Sequence, residues 1–486
     1  MNSLFILLLS IWNMFLFYND QYGLSVILFI VPLLYFIYYY LKKYKLLKNR
    51  RCLLLMIPIV LLSLTYLFFN NEFFYYLNQF VIPILILLMF VLTIKPNFNL
   101  KNIVTDICNL LVEPFRKFSL VIKKFKEDIS EKLHINDNVL KNLVSILVVI
   151  PIVAIILMLL TSSDMEFNNL VGNILKMPRD FFESFDINNF IWKVFSSALF
   201  FLYFSATLYY LSGNFITKKP YISKTKNNDN KTIFILMIVL NVIYFVFDII
   251  QIKSLMFHYV GLNINYSEYA REGFFQLMLV SLINMIIVLK ANKTDDRTIL
   301  INVLSIIMVI FTFVIIISSI LRMNLYESMY GYTLLRLLVY ITLFTEIILI
   351  IPLILYIINN KFNITKSFII IIITVYTAIN FINIDSIIAK RNIQRYFDNK
   401  DIDIEYLENY HTDNVRDLIV LYENTNDYNL KQSLYNYLDK SIDTSYDLQG
   451  FNISKYIAKR EISKINNWYF FFIVLLYCHI EPKKEY

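Results

Sequence analysis

The residues of this chain whose types could do chemistry are ionisable side chains set in or beside apolar runs. Asp248, Glu268, Arg271, Glu272, Arg322, Glu327, Arg336 and Glu346 all sit there, where charge is costly without a partner. Glu268 and Arg271 are three apart, so on a helix they can pair. Arg322, Tyr326, Tyr330 and Thr333 follow helical spacing and form a polar stripe leading towards Arg336. A guanidinium grips phosphate or carboxylate through a planar fork of donors. Arg271, Arg322 and Arg336 would therefore suit an anionic lipid headgroup or a cell-envelope ligand. An interhelical ion-pair network that fixes how helices dock is the competing reading, and both stay open. Glu346 differs, because it lies at the centre of a hydrophobic run, where a carboxyl must be neutral or paired. It is either a proton relay or a neutral side chain bonded to Asn241, Asn284 or Asn302.

These residues have to be positioned by elements that suit an apolar medium. The chain is 58% hydrophobic, and its apolar residues come in runs long enough to cross a hydrocarbon layer of roughly 30 Å. The expected fold is all-α, a polytopic transmembrane helical bundle of about 11 spans. They are placed at 4–18, 24–41, 52–69, 78–94, 143–160, 190–212, 232–250, 273–289, 299–320, 334–358 and 368–384. The first lacks a basic leader and a small-residue cleavage site, so it reads as an uncleaved helix.

Basic residues set the orientation. One set of alternating loops carries 25 Lys and Arg and the other carries five, which predicts a cytoplasmic amino terminus. Residues after about 385 then lie outside, and 385–467 holds 11 basic and 14 acidic residues, as a solvated domain would. The expected organisation is amino-terminal hairpins over 1–94, a cytoplasmic amphipathic loop over 95–141, and a main bundle over 142–384. A small extracytoplasmic C-terminal helical domain over 385–467 and an apolar tail over 468–486 follow. In the loop, Ile103, Ile107, Leu110, Leu111, Phe115, Phe118 and Ile122 recur near helical spacing. That loop either lies on the inner leaflet or packs beneath the bundle. In the domain, Asp403, Asp413 and Asn426 or Asp427 are placed to cap helices over 404–410, 414–424 and 428–440.

Several function classes are excluded by what the chain lacks. The net charge of +8 is mostly topology and gives no nucleic-acid surface, since no base-stacking module accompanies it. Three cysteines and four scattered histidines form neither a disulfide framework nor a metal pattern. There is no phosphate-cradling glycine loop and no hydrolase or zinc-protease motif, so no cofactor or metal is expected.

Three stretches carry a resemblance. They are Tyr266-Ser-Glu-Tyr-Ala-Arg-Glu-Gly-Phe-Phe275, Arg322-Met-Asn-Leu-Tyr326 with Tyr330-Gly-Tyr-Thr333 and Arg336, and Asn383-Ile-Asp-Ser-Ile-Ile-Ala-Lys-Arg-Asn-Ile393 followed by Ile402-Asp-Ile-Glu-Tyr-Leu407. Together they resemble a bacterial multi-pass membrane family catalogued as domain of unknown function 4173, close to 4153. The resemblance covers roughly 200–465 and implies a plasma-membrane protein with no established activity. The lipid bilayer is the expected partner. The leading expectation is envelope sensing or maintenance through an outward-facing polar pocket. The alternatives are a proton-coupled transporter or lipid flippase using Glu346, and an enzyme acting on outer-leaflet lipid or a cell-wall precursor. The enzyme would draw its base from Glu268, Glu272 or Asp248.

Overall fold

The computed structural model describes residues 3–95, 99–133, 187–213, 229–256, 274–293, 298–399, 402–408, 412–440 and 448–464. Every regular element among them is helical. In order these are α1 (Ser3–Leu16), α2 (Leu24–Lys43), α3 (Met56–Phe68, after a 3₁₀ turn at Arg50–Leu55), α4 (Glu72–Ile94), α5 (Leu100–Val112) and α6 (Phe118–Leu133). Then follow α7 (Ile187–Ser212), α8 (Asp229–Met256), α9 (Phe274–Ala291), α10 (Ile299–Tyr330), α11 (Leu334–Ile358) and α12 (Ile364–Asn380). The last are α13 (Ile384–Asn399), α14 (Ile404–Glu408), α15 (Val415–Asn424) and α16 (Tyr428–Lys440), with a helical stretch at 453–464.

Among the described residues seven helices are long and apolar enough to cross a membrane, and α12 with α13, bent by 61°, would make an eighth. Helices suit this medium because each bonds its own backbone. α1 and α9 are apolar but shorter, and the expected span 143–160 lies outside the described residues. So do the tail 468–486 and all of an expected exterior loop over 161–189 except its last three residues, which are helical. The molecule is an all-α polytopic membrane protein.

The chain divides into two compact units. The first comprises Met1–Phe68, Leu77–Pro220 and Ser445–Asn452; the second comprises Phe69–Tyr76, Tyr221–Thr444 and Ile453–Tyr486.

In the first unit α1 and α2 pack on α7. Small residues lie on the buried face of α7: Ser197 Oγ donates to Ser10 O at 2.6 Å, and Ala206, nine residues further along, is fully buried. Tyr40 OH donates to Leu208 O at 2.8 Å, and Phe5 stacks on Phe36. The loop helices α5 and α6 pack on α7 as well: Tyr203 OH donates to Leu110 O, and Phe125 meets Phe201 edge-on at 4.9 Å. Their buried face is Ile103, Leu110, Val121 and Phe125, whereas Leu111 and Phe115 are exposed. The helical phase is reset by the 3₁₀ turn at Glu113–Lys117, which carries Pro114. The α1–α2 turn is held by the segment 448–452. Leu24 N donates to Phe451 O, Gln449 to Phe15 O and Asn452 to Tyr66 O. Gly23 and Gly450 lie so close that a Cβ on Gly23 would stand 2.8 Å from Gly450 O.

In the second unit the 32-residue α10 is about 48 Å long and is packed by α8, α9 and α11. Met237, Met285, Met308, Met323 and Leu343 fill the space between them. A second core joins α13 to α15 and α16. Ile384, Ile388, Ala389 and Ile393 lie on one helical face and meet Leu407, Leu418, Leu421 and Leu434. Asp403 caps α14 by accepting from Tyr406 N, and Asp427 caps α16 by accepting from Asn429 N and Leu430 N. Asp413 does not cap α15. Both its oxygens accept instead from Asn70 N, at 2.9 and 2.8 Å.

Candidate functional site

All the geometry of the site belongs to the second unit. α10 ends at Gly331, whose φ of 79° and ψ of −175° fall where only glycine is at ease. Thr333 then caps α11, its side chain accepting from Arg336 N. The polar stripe predicted to run through Thr333 therefore breaks at Gly331. Its earlier part still reaches Arg336, whose guanidinium lies 4.3 Å from the centre of the Tyr326 ring and donates to Gly331 O.

Two of the three motif stretches meet at this break; the first, 266–275, lies almost wholly outside the described residues. Asn392 accepts from Tyr332 N and donates to Tyr332 O, both at 2.8 Å. Arg395 donates to Met329 O, and Leu334 N donates to Tyr406 OH at 2.7 Å. The motifs thus form a joint between α10, α11, α13 and α14. Beside it Tyr340 OH lies 2.8 Å from Asn324 Oδ1 and 3.1 Å from the buried Glu327 carboxylate.

Below the joint, polar side chains recur in tiers between α8, α9, α10 and α11. In the first, Gln251 Oε1 accepts from Ser318 Oγ and Arg322 Nη2, each at 2.8 Å. Asp248, one turn back on α8, is 4% exposed, and neither of its oxygens has a hydrogen-bond partner among the described residues. In the next tier Tyr244 OH donates to Asn284 Oδ1, and Asn284 Nδ2 donates to Thr312 Oγ1. Ser281, one turn from Asn284, donates to Glu346 Oε2. Glu346 is 1% exposed, and its Oε1 is unbonded among the described residues. The last tiers are Asn241 on Leu304 O and Asn292 on Ser305 Oγ. From Ser305 to Arg322 the tiers follow α10 for about 25 Å, most of a hydrocarbon core.

Glu346 thus takes its bond from Ser281, and not from Asn241, Asn284 or Asn302 as expected. Asn284 shares the face of Ser281 but is held by Tyr244 and Thr312. Arg322 and Arg336 both turn to internal acceptors. Glu268, Arg271 and Glu272 lie outside the described residues. Sequence reasoning passed over Ser281 and Thr312, although a hydroxyl recurring at helical spacing through α10 (Ser305, Thr312, Ser319) was the available signal.

A further polar group lies in the α13–α15 layer. Asn71 Nδ2 donates to Asp385 Oδ1 at 2.6 Å, Asn383 Nδ2 to Asp413 O, and Ser386 Oγ to Asp417 Oδ2. Burial, and then the neighbouring Asp413 charge, push the Asp385 carboxyl up to about 7. Burial raises Asp417 too, against the pull of its bond to Ser386 and of Lys390.

Fold and site together define a helical integral membrane protein with buried polar tiers beneath a motif-built joint. Residues 56–421 match the family model described as Domain of unknown function (DUF4153), and the chain belongs to that family. The motif resemblance named 4173 with 4153 as its neighbour, and the match falls on the neighbour. It also reaches into the amino-terminal spans, beyond the region carried by the motifs. No curated protein and no solved structure matches the chain.

Proposed function

We propose that this is a proton-linked membrane transport protein in which Glu346 takes up and releases the proton. The observation that supports it most is Glu346 itself, a buried carboxyl with one oxygen on Ser281 and the other unbonded among the described residues. Intramembrane carboxyls are costly to keep and mark ion and proton pathways. Asp248, likewise buried without a partner among the described residues, supplies a second carboxyl on the same helix group. The tiers between Ser305 and Arg322 supply hydroxyl and amide groups along which a proton can step. Reading Arg322 and Arg336 as an open anion pocket has less support, because both are buried and each already donates to an internal acceptor, Gln251 and the Gly331 carbonyl. On the loop charges, the amino terminus is cytoplasmic in a bacterial plasma membrane and the joint faces outward.

The test is infrared difference spectroscopy of the protein in lipid nanodiscs at stepped pH. A protonated-carboxyl stretch that titrates in the wild type and vanishes in Glu346→Gln is expected. Superimposable wild-type and Glu346→Gln spectra up to about pH 9, where buried Glu residues titrate, would end the proposal.

A further inference from the structure

The first unit holds a cavity of about 510 Å³ that the tiers of the second unit do not involve. It lies at one end of the helices, between α1, α2, α4 and α7 and the α1–α2 turn. Lys193, on its wall, is about 9 Å along α7 from the helix start. Lys193 is the second residue of the apolar stretch Trp192–Ser212, so it stands at one end of that stretch, and the ends of spans are where Trp and Tyr collect. Trp192, Tyr22 and Tyr66 line the cavity there.

The lining has two characters. Phe17, Phe29, Ile30 and Ile82 contribute apolar surface, while Asn13, Gln79, Asp20 and Lys193 contribute polar groups. Lys193 pairs with Asp20, and the pair is lopsided: the lysine side chain is 10% exposed and the aspartate side chain 67%. A buried ammonium needs a counter-charge, whereas an exposed carboxylate on a turn can swing aside at small cost. The cavity therefore offers a fixed cation deep in its wall and a movable anion at its rim.

We infer that this cavity binds the headgroup of a zwitterionic aminophospholipid, its phosphate on Lys193, its amine on Asp20, and the first chain carbons along Phe17, Phe29 and Ile82. One internal ion pair is then exchanged for two. A purely anionic headgroup would leave Asp20 facing a phosphate. The volume lies within the range of small-molecule sites and exceeds what the headgroup alone requires, which gives the apolar wall its part.

Native mass spectrometry of the full-length protein tests this, with phosphatidylethanolamine, phosphatidylglycerol and soluble glycerophosphoethanolamine as probes. Wild-type protein is expected to hold phosphatidylethanolamine about tenfold more tightly than phosphatidylglycerol. Asp20→Asn should remove that preference. Ser196→Trp, on an exposed lining residue, should weaken the same lipid about tenfold while leaving both charges in place. Lys193→Gln should lose both lipids. Asp20 and Ser196 are exposed, so those two variants keep the result readable even if Lys193→Gln fails to fold. Equal or stronger phosphatidylglycerol binding by the wild type would overturn the inference. So would soluble headgroup binding as tight as the lipid, or phosphatidylethanolamine binding that Ser196→Trp leaves unchanged.

Discussion

Gly331→Ala is the substitution that best tests the joint. At φ 79° and ψ −175° an alanine is held in a region that costs about 1–3 kcal/mol. Its Cβ would also stand 2.7 Å from Asn392 Oδ1 and 2.9 Å from Arg395 Nη1, so both side chains must move. Asn392 would then lose its paired bonds with Tyr332, and Arg395 its bond to Met329 O, at about 0.5–1.5 kcal/mol each. A total of about 2.5–7.5 kcal/mol follows, roughly two to five orders of magnitude in the folded ratio. Gly213→Ala is the control, since among the described residues its Cβ would meet nothing closer than Tyr209 O at 3.7 Å. The assay is reversible unfolding in mixed micelles, followed by tryptophan fluorescence. If the two variants unfold at the same midpoint, Gly331 is not a strained joint and the convergence of the motifs upon it carries no stability.

Two more outcomes are expected. The folded Asp385 carboxyl titrates at about 7 against an ordinary 3.8, so its contribution is complete below about pH 4 and is lost as pH rises through 7. Stability should fall across that window by up to about 1.4 kcal/mol per pH unit, and Asp385→Asn should flatten the slope; parallel slopes in unfolding titrations would count against it. Asn452→Ala removes the buried donor to Tyr66 O and should cost about 1–3 kcal/mol, visible as a lowered unfolding midpoint; an unchanged midpoint would mean that the segment 448–452 does not hold the turn.

The spans were legible because an apolar run of that length has few other uses. Caps were legible where the capping side chain works locally, as Asp403 and Asp427 do. Asp413 has the same local signature, yet a backbone amide 343 residues away claims it, and no local pattern encodes that competition. The loop helices α5 and α6 were legible as amphipathic, but one continuous period was carried across Pro114, where the backbone changes its twist. Glu346 was legible as a buried carboxyl from its central position. Its partner was not, since Ser281 looks like any serine in a span until α9 and α11 are packed together. The arginines differ again. Arg322 and Arg336 carry a strong chemical signal, but their acceptors are an amide side chain and a backbone carbonyl, neither of which stands out in a sequence.

The contact between Gly23 and Gly450 has a consequence in time. The α1–α2 turn is made within the first 24 residues, but the groups that hold Leu24 N and the carbonyls of Phe15 and Tyr66 arrive only with residues 449–452. At roughly 5–20 residues per second, tens of seconds of synthesis separate the two. Throughout that interval the first hairpin stands in the bilayer with its turn unfastened, and a chain stopped short of residue 448 never fastens it. The first turn of the chain is thus fastened by one of its last described segments.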